Sequence, residues 1–327
     1  MLYDVAVIGD CVQDMFILAK SKLITEKNKK TKYLSYIYGD KINVDELHYD
    51  LGGSACNAAV GMRLARIRTT MVSVLGDCIY SKNVIEQLRK KKVGRSFLVK
   101  EKNKCLGSSF ILLGSDRDRT ILTYRPENDF EKINLGKVLW LSNSFYIAGI
   151  NKYSKVLIKD LLNNSKIKSK KIYINPSGYQ IEQDLVNLKK LFKISKIVAV
   201  NVEEAMKILK TKKKTAVKEL LKNIKNLGPE IVLITDGKKG AYAYDGNKYF
   251  KSGLYPSKRI DSTGAGDSFC ATFVAAQVRG YNIEDSLSFA SINSASVVSV
   301  YGAQRGLLGW KILKERFEKK KVKINKI

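Results

Sequence analysis

The chain alternates short apolar stretches, each ending in a polar or glycine residue, with stretches of helical spacing. The apolar stretches include Asp4 to Gly9 (DVAVIG), Lys171 to Asn175 (KIYIN), Ile197 to Asn201 (IVAVN) and Ile231 to Thr235 (IVLIT). Continuous apolar runs of this length are typical of parallel strands that are buried on both faces. Parallel strands need long crossover connections, which are usually helices. The pattern therefore predicts an α/β fold, a three-layer αβα Rossmann-like arrangement with a mostly parallel central sheet, and a ligand site at the carboxyl edge of that sheet.

Two β-rich stretches interrupt this alternation. Lys32 to Tyr49 and Cys105 to Tyr124 are rich in Tyr, Ile, Leu and Thr with strand-like alternation. We expect residues of about 12–50 and 105–125 to form a small β-sheet that acts as a lid, as a dimer surface or as an extension of the main sheet. Without a linker-like segment or a repeat, residues 1–327 are expected to form one domain.

Composition excludes several classes of protein. Hydrophobic residues make up 45% of the 327 residues, so a full core can form and general disorder is excluded. A single histidine, His48, excludes zinc sites that need two. The five cysteines are far apart and form no C-x-x-C pair, which indicates reduced thiols. The first residues already form a buried-type strand, and we expect a cytoplasmic protein without a signal peptide or membrane helix.

The net charge is strongly positive. The chain carries 59 Lys and Arg against 31 Asp and Glu, a formal charge of +28. The lysines are spread over many segments, including Lys27 to Lys32 and Lys210 to Lys214, and do not form one aromatic-rich basic stripe. We therefore favour a compositional bias over nucleic-acid binding, which stays open as an alternative function of a different class.

The most informative motif is DSTGAGD, Asp261 to Asp267, which precedes a helix-like stretch from Ala265 to Gly280. Small residues at a helix start expose backbone N–H groups, and the helix dipole favours an anion there. A carboxylate in such a cradle repels a phosphate, so the presence of Asp267 requires an explanation. One interpretation is a general base that accepts a hydroxyl proton, and the other is a helix cap; the motif alone does not decide. It matches neither a Walker A loop nor a dinucleotide-binding fingerprint.

A second motif lies in the N-terminal third of the chain. In LGGSACNAAVG, Gly52 and Gly53 precede a predicted helix from Ser54 to Arg66, and Asn57 lies one turn into it. Glycines let the backbone approach a ligand, and an Asn side chain offers both a donor and an acceptor to sugar hydroxyls. An ordinary glycine turn into a packed helix is the alternative interpretation.

Together the two motifs resemble those of the ribokinase-like (PfkB) family of carbohydrate and nucleoside kinases. The resemblance extends from about Tyr3 to Arg305 and includes further landmarks in the expected order. These are Asp14 in a first sugar-binding loop, Asn201 and Glu204 in NVEEA, the nucleotide loop TDGKKG, and Gly302 to Gln304 (GAQ) as an element closing the adenine side. The resemblance implies a ribokinase-like fold, an ATP-dependent kinase with Mg²⁺, and a homodimer formed through the lid.

The resemblance also implies roles for individual residues. Asp267 is the implied general base, and the amides of Gly264, Ala265 and Gly266 hold the transferred phosphate. The implied substrate-binding residues are Asp14, Gly52, Gly53, Asn57 and Arg125. The implied nucleotide-binding residues are Asn201, Glu204, Thr235, Gly237 and Gly240. Of these, Asn201 and Glu204 also act on the Mg²⁺–phosphate cluster, through water. Asp261 and Thr263 are the implied site of a monovalent cation such as K⁺.

The substrate is less constrained than the reaction. Arg125, in TYRPEN, either binds a carboxylate or phosphate of the substrate or forms an ion pair within the lid. A sugar or sugar-like compound is the favoured substrate class. A nucleoside is the alternative within the family, with a base stacked on side chains of the lid: Tyr33, Tyr36, Tyr38 and Phe110.

Overall fold

The computed structural model describes residues 1–18, 24–27, 32–113, 119–150, 154–211 and 215–326. Parts of the predicted lid and of the clusters Lys27 to Lys32 and Lys210 to Lys214 therefore lie outside the described residues. The strands are β1 (Tyr3–Ile8), β2 (Val12–Leu18), β3 (Ile24–Lys27), β4 (Lys32–Ser35), β5 (Glu46–Gly52), β6 (Thr69–Gly76), β7 (Gly94–Glu101), β8 (Gly107–Leu113), β9 (Arg119–Tyr124), β10 (Ser142–Ile147), β11 (Lys171–Ile174), β12 (Ile197–Asn201), β13 (Ile231–Thr235), β14 (Ala241–Tyr244), β15 (Tyr249–Ser252) and β16 (Ile324–Lys326). The α-helices are α1 (Ser54–Leu64), α2 (Ile79–Lys90), α3 (Leu135–Leu141), α4 (Ser154–Asn163), α5 (Gly178–Gln183), α6 (Leu185–Phe192), α7 (Val202–Leu209), α8 (Val217–Lys225), α9 (Ala265–Val278), α10 (Ile283–Val297) and α11 (Trp310–Lys319).

The central sheet has ten strands in the order β16-β15-β14-β13-β12-β11-β10-β1-β6-β7. From β13 to β7 all neighbours are parallel, and β14, β15 and β16 continue the sheet antiparallel. The predicted mostly parallel sheet is confirmed. Because β1 and β10 lie side by side in the middle, the loops after them open at the carboxyl edge of the sheet.

Each face of the sheet is covered by its own set of helices. Along β1, Val5 and Val7 point to one core, which includes buried residues of α1, α2, α9, α10 and α11. Ala6 and Ile8 point to the other core, formed with residues of α3 to α8. This alternation follows the two-residue period of a strand. The result is the predicted three-layer αβα architecture.

A separate four-stranded sheet, here called the lid sheet, has the order β5-β2-β8-β9. β2 pairs antiparallel with β5 and parallel with β8, and β9 pairs antiparallel with β8. Its strands come from the two β-rich stretches that the sequence pattern separates from the main sheet. Of the alternatives, an extension of the main sheet is therefore wrong, because the lid sheet shares no strand pairing with it among the described residues.

The predicted helices agree with the observed ones to within a few residues. The stretch Ala265 to Gly280 is α9, which ends at Val278, and Gly280 follows with a left-handed φ of 87°. α9 is buried almost all round, against α1 on one side and α10 on the other. In the described part of the chain, no helix is both long and apolar enough to span a bilayer.

Candidate active site

The start of α9 lies between two cavities at the carboxyl edge of the central sheet. Ala265 and Gly266 line one cavity of about 460 Å³. Thr263, Gly264 and Asp267 line the other, of about 650 Å³. One helix terminus therefore faces both spaces, and a group that moves from one cavity to the other passes its backbone amides.

The loop before α9 is held by Asp261, which is buried. One carboxylate oxygen accepts hydrogen bonds from the backbone N–H and the hydroxyl of Thr263, at 2.9 and 2.8 Å. The other oxygen accepts one from the Gly302 N–H at 3.1 Å. The loop also requires glycine at 264, where φ is +74° and a Cβ would overlap Ala303. Asp261 thus ties the loop to the distant turn at 302–304.

The first turn of α9 presents its amides to the cavities. Gly264 is the residue before the helix, and among the described residues no side chain caps it. The N–H groups of Gly266 and Asp267 belong to the first turn and have no preceding turn to bond. With the helix dipole they form a cradle for an anion. Gly266 is exposed, and a Cβ there would meet nothing in the described structure within 4 Å, so an anion can approach closely.

Asp267 does not cap its own helix. Its Oδ2 accepts a hydrogen bond of 2.8 Å from the Asn57 amide, and the Ser54 side chain also hydrogen-bonds to it. Burial raises the pKa of the Asp267 carboxyl, and the hydrogen bonds from Asn57 and Ser54 lower it. The carboxylate faces the larger cavity. Of the two interpretations of this residue, the contacts disfavour the cap and agree with a proton acceptor.

The smaller cavity contains the predicted nucleotide residues. Thr235, Gly237 and Gly240 line it. Apolar side chains line it as well, among them Leu254, Phe269 and Val298. Lys238 and Arg259 add positive charge at the wall. An apolar surface together with cations and free amides suits a flat ring system joined to phosphates.

The larger cavity contains the predicted substrate residues. Asp14, Gly53, Asn57 and Arg125 line it, and Gly52 lies directly behind Asp14. A side chain at Gly52 would overlap the Asp14 carboxylate, so this glycine makes room for the acid. Burial raises the pKa of Asp14 to about 6, against the lowering effects of the Ser109 hydroxyl and the Arg125 charge. This wall offers hydrogen-bond acceptors to hydroxyl groups.

Arg125 is held inside the lid sheet. Its guanidinium donates to the carbonyl oxygens of Ser108 and Tyr124 at 2.7 and 2.9 Å, and to the Ser109 hydroxyl at 3.1 Å. The charges of Asp10 and Asp14 also act on it. These contacts favour a role within the lid sheet over one toward the substrate, and they are hydrogen bonds to neutral oxygens in place of the predicted ion pair.

Asn201 and Glu204 form a capping box at the start of α7. The Asn201 side chain accepts from the Glu204 N–H at 2.8 Å, and the Glu204 carboxylate accepts from the Asn201 N–H at 2.9 Å. Burial first, and then the charges of Asp267 and Glu203, raise the pKa of Glu204. Asn201 therefore caps α7, and Glu204 lies close enough to Asp267 for their charges to interact.

Some predicted elements lie elsewhere. Gly302 to Gln304 contact Asp261, Gly264 and Asn57 and are absent from the described lining of the smaller cavity, so the position of GAQ beside the adenine stays a prediction. Tyr33, Tyr36 and Tyr38 are largely exposed and are absent from the described linings of both cavities, as is Phe110. His48 is exposed and hydrogen-bonds to Glu46.

The sequence reasoning missed other lining residues. Asp10, two residues after the end of β1, lines the larger cavity, and Tyr179, in the first turn of α5, does the same. The rule that ligands bind at the carboxyl ends of parallel strands would have found Asp10. Gln304 was assigned to the adenine, whereas its amide donates to Asn57 at 2.9 Å. No local signal in the sequence indicates that contact.

The fold agrees with solved structures. The ribokinase of Thermotoga maritima superposes with a TM-score of 0.80 at 19% identity, covering 97% of this chain and 100% of that one. The ribokinase of Arabidopsis thaliana, solved with ribose and ATP, superposes with a TM-score of 0.78 at 20% identity, over 96% of this chain and 98% of that one. At these identities the likeness establishes the ribokinase-like fold.

The sequence comparisons extend over most of the chain. A 5-dehydro-2-deoxygluconokinase of Shouchella clausii is 23% identical over 320 residues, 93% of this chain and 92% of that protein. A ribokinase of Staphylococcus aureus is 24% identical over 276 residues, 82% of this chain and 89% of that protein. The family model described as pfkB family carbohydrate kinase matches residues 4–308. Since that match contains both cavities and the start of α9, this chain belongs to the pfkB family of carbohydrate kinases.

Proposed function

We propose that this protein transfers the terminal phosphoryl group of ATP to a hydroxyl group of a sugar or sugar-like small molecule. One observation carries the proposal: the start of α9 separates two cavities, with open amides on one side and the Asp267 carboxylate on the other. The smaller cavity would hold ATP and the larger one the acceptor. Phosphoryl transfer requires mainly this positioning and the neutralisation of charge.

In this mechanism Asp267 accepts the proton of the attacking hydroxyl. The hydroxyl oxygen forms its bond to the terminal phosphorus while the bond between that phosphorus and the bridging oxygen breaks, and ADP leaves. The amides of Gly264 and Gly266, at the positive end of the α9 dipole, stabilise the charge on the phosphoryl oxygens. The Ala265 N–H, the third predicted donor, already donates to the Ser262 carbonyl oxygen at 3.3 Å. Asn57 and Ser54 keep Asp267 ionised before the transfer.

Mg²⁺ would enter with the nucleotide as MgATP. In the described part of the chain, no cluster of three acidic, His or Cys side chains could hold a metal ion on its own. A divalent cation near Glu204 would offset the burial and the repulsion from Asp267 that raise the pKa of this carboxyl. We assign Glu204 to the water shell of that ion, which offsets phosphate charge. The roles of Asn201 toward MgATP, and of Asp261 and Thr263 toward K⁺, stay predictions.

We further propose that the acceptor is uncharged. Asp10, Asp14 and Asp267 line the larger cavity, whereas Arg125 is the one cation in the described part of its lining. Arg125 already donates to two carbonyl oxygens and to Ser109. The charge of the cavity therefore opposes a sugar acid or a sugar phosphate, and its acceptors favour a polyol.

The lid sheet would cover this acceptor. Its residues Ile111, Ile121 and Thr123 line the larger cavity opposite the start of α9. Closure would exclude water, which otherwise competes with the acceptor hydroxyl for the phosphoryl group.

The test is a coupled ADP-release assay with three groups of acceptors: free pentoses and hexoses, the matching sugar acids and sugar phosphates, and nucleosides. We expect turnover with a free sugar. Turnover with nucleosides alone would replace the sugar by a nucleoside, and turnover with anionic sugars alone would refute the uncharged acceptor.

Asp267→Asn is the companion variant. We expect it to fold and to bind MgATP, and to lower turnover by about two to four orders of magnitude, because the amide accepts no proton. Asp285→Asn is the matched control, since Asp285 has the same position in the first turn of α10 as Asp267 in α9. Near-normal turnover of folded Asp267→Asn would exclude Asp267 as the base.

A further inference from the structure

Gln304 lies behind the proposed catalytic base and reaches it through one other side chain. Its Nε2 donates to Asn57 Oδ1 at 2.9 Å, and Asn57 Nδ2 donates to Asp267 Oδ2 at 2.8 Å. Gln304 and Asn57 are both buried. The contact joins residues 247 positions apart in the chain. Gln304 itself is absent from the described linings of both cavities.

The direction of this relay follows from the chemistry of the three groups. An ionised carboxylate only accepts hydrogen bonds, so Asn57 must turn its NH₂ group toward Asp267. The carbonyl oxygen of Asn57 then points the opposite way and needs a donor. Gln304 supplies that donor. If the Asn57 amide flipped, its oxygen would face the carboxylate, which would repel it.

We propose that Gln304 is a positioning residue, which fixes the orientation of the Asn57 amide and thereby holds the Asp267 carboxylate ionised and aimed at the acceptor hydroxyl. The proposal rests on the proposed role of Asp267 as the base. It adds a residue from the C-terminal part of the chain to a base whose hydrogen-bond partners Ser54 and Asn57 lie on α1.

The turn that carries Gln304 is itself fixed to the anion loop. The Gly302 N–H donates to Asp261 at 3.1 Å, and Ala303 packs against Gly264 so closely that a side chain at 264 would not fit. A displacement of this turn would therefore change the amide cradle and the base together. The turn couples the two halves of the phosphoryl-transfer site.

Other titratable groups also act on Asp267. Asp14 of β2, Tyr146 of β10, Glu204 of α7 and Cys270 of α9 all interact electrostatically with its carboxylate. A neutral substitution at Gln304 leaves these four groups unchanged. A change in the pH profile after such a substitution would therefore report on the hydrogen bonds through Asn57.

The test uses Gln304→Met, which keeps the length of the side chain and removes the donor. We expect kcat to fall about 10- to 100-fold, as for the loss of a charge-assisted hydrogen bond. The KM for MgATP should stay unchanged. The acidic limb of the pH profile should move to higher pH, because a weaker Asn57 hydrogen bond leaves the pKa of Asp267 higher.

A double-mutant cycle with Asn57→Ala separates positioning from a general structural role. In the Asn57→Ala background, Gln304→Met should lower kcat by less than a further threefold, because both substitutions break the same chain of hydrogen bonds to Asp267. Gln277→Met is the control: Gln277 donates to Tyr281 and Ser286 on the far side of α9, and its loss should lower stability without moving the pH limb.

Two results would overturn the proposal: a wild-type kcat and pH limb for Gln304→Met, or an undiminished effect in the Asn57→Ala background. If Gln304→Met does not fold, Gln304→Leu takes its place, because it is also neutral, removes the donor and should move the limb the same way. If Asp267→Asn abolishes turnover while Gln304 variants behave as wild type, this proposal fails and the proposed function stands. Normal turnover of Asp267→Asn refutes the function instead.

Discussion

Asp14 offers the sharpest test of how the substrate cavity is built. Its carboxyl is buried between β5 and β8 of the lid sheet, opposite Asp50 and beside Ser109. Burial raises the pKa of Asp14 from 3.8 to about 6, and the nearby charges of Asp267 and Asp50 add to this. Surroundings that raise the pKa of a carboxyl group destabilise its charged form, so Asp14 does not contribute to the stability of the fold at neutral pH. We therefore expect Asp14→Asn to make the free protein more stable and the enzyme less effective.

The expected size follows from proton linkage. Between pH 3.8 and about 6 the folded protein binds the Asp14 proton more tightly than the unfolded chain does. The free energy of unfolding therefore falls as pH rises through this window. Above the window, the protein bears the full free-energy cost of burying the ionised Asp14 carboxylate. At about 1.4 kcal/mol for each pH unit, this cost is about 3 kcal/mol at neutral pH. Asn at position 14 removes it.

The assay is urea denaturation of both proteins from pH 4 to pH 7.5. The free energy of unfolding of Asp14→Asn minus that of the wild type should grow with pH by about 2–3 kcal/mol. Asp4→Asn is the control of opposite sign. The Arg68 guanidinium lowers the pKa of Asp4, so Asp4→Asn should destabilise the protein by an amount that stays nearly constant from pH 4 to pH 7.5, because the contribution of Asp4 is lost only below pH 3.8. A difference for Asp14→Asn that does not depend on pH would refute the reasoning.

The same variant has a kinetic consequence. If the ionised carboxylate accepts hydrogen bonds from sugar hydroxyls, Asp14→Asn should raise the sugar KM by about one order of magnitude. In the wild type, the sugar KM should rise as pH falls below about 6, where Asp14 becomes protonated. An unchanged sugar KM in Asp14→Asn would move hydroxyl recognition away from Asp14.

Two further predictions concern the anion loop and the lid sheet. Gly264→Ala should lower kcat by at least about tenfold, since it combines a left-handed φ with a clash against Ala303. Gly280→Ala, where φ is also left-handed but no described atom lies within 4 Å, should cost stability alone, as urea denaturation and turnover would show. For the lid, we predict a homodimer that buries the exposed side chains of Leu47 and Tyr49 of β5 and Leu122 of β9. Light scattering should give twice the monomer mass and Leu122→Lys the monomer mass; a wild-type monomer at assay concentration would contradict the lid dimer.

The fold was predictable because its signals are local. Each core strand is a continuous apolar run, and Val5 and Ala6 already belong to opposite cores. The β-rich stretches stand out for the same reason, since their alternation differs from the buried strands around them. The pairing of β2 with β8 is different. It joins residues about 95 positions apart in a parallel register, and periodicity carries no information on such partners.

The site was predictable only as far as its motifs extend. Glycines with a required conformation, such as Gly53 and Gly264, mark the backbone, and Asp267 marks the chemistry. The capping box of Asn201 and Glu204 shows the limit, because one spacing serves both a helix start and a role toward phosphate-bound metal. The spacing cannot show whether Glu204 only caps the helix or also acts on a metal ion. The structure adds that the charges of Glu204 and Asp267 interact, so Glu204 lies near the proposed base.

The relay through Asn57 explains why one segment beyond the motifs matters. An isolated GGxxxN helix would leave the Asn57 amide without a defined orientation, whereas Thr263 within the DSTGAGD segment already orients the Asp261 carboxylate. The turn at 302–304 donates to both, through Gln304 and the Gly302 N–H. The order of the base and of the amide cradle therefore depends on one turn, which lies between α10 and α11.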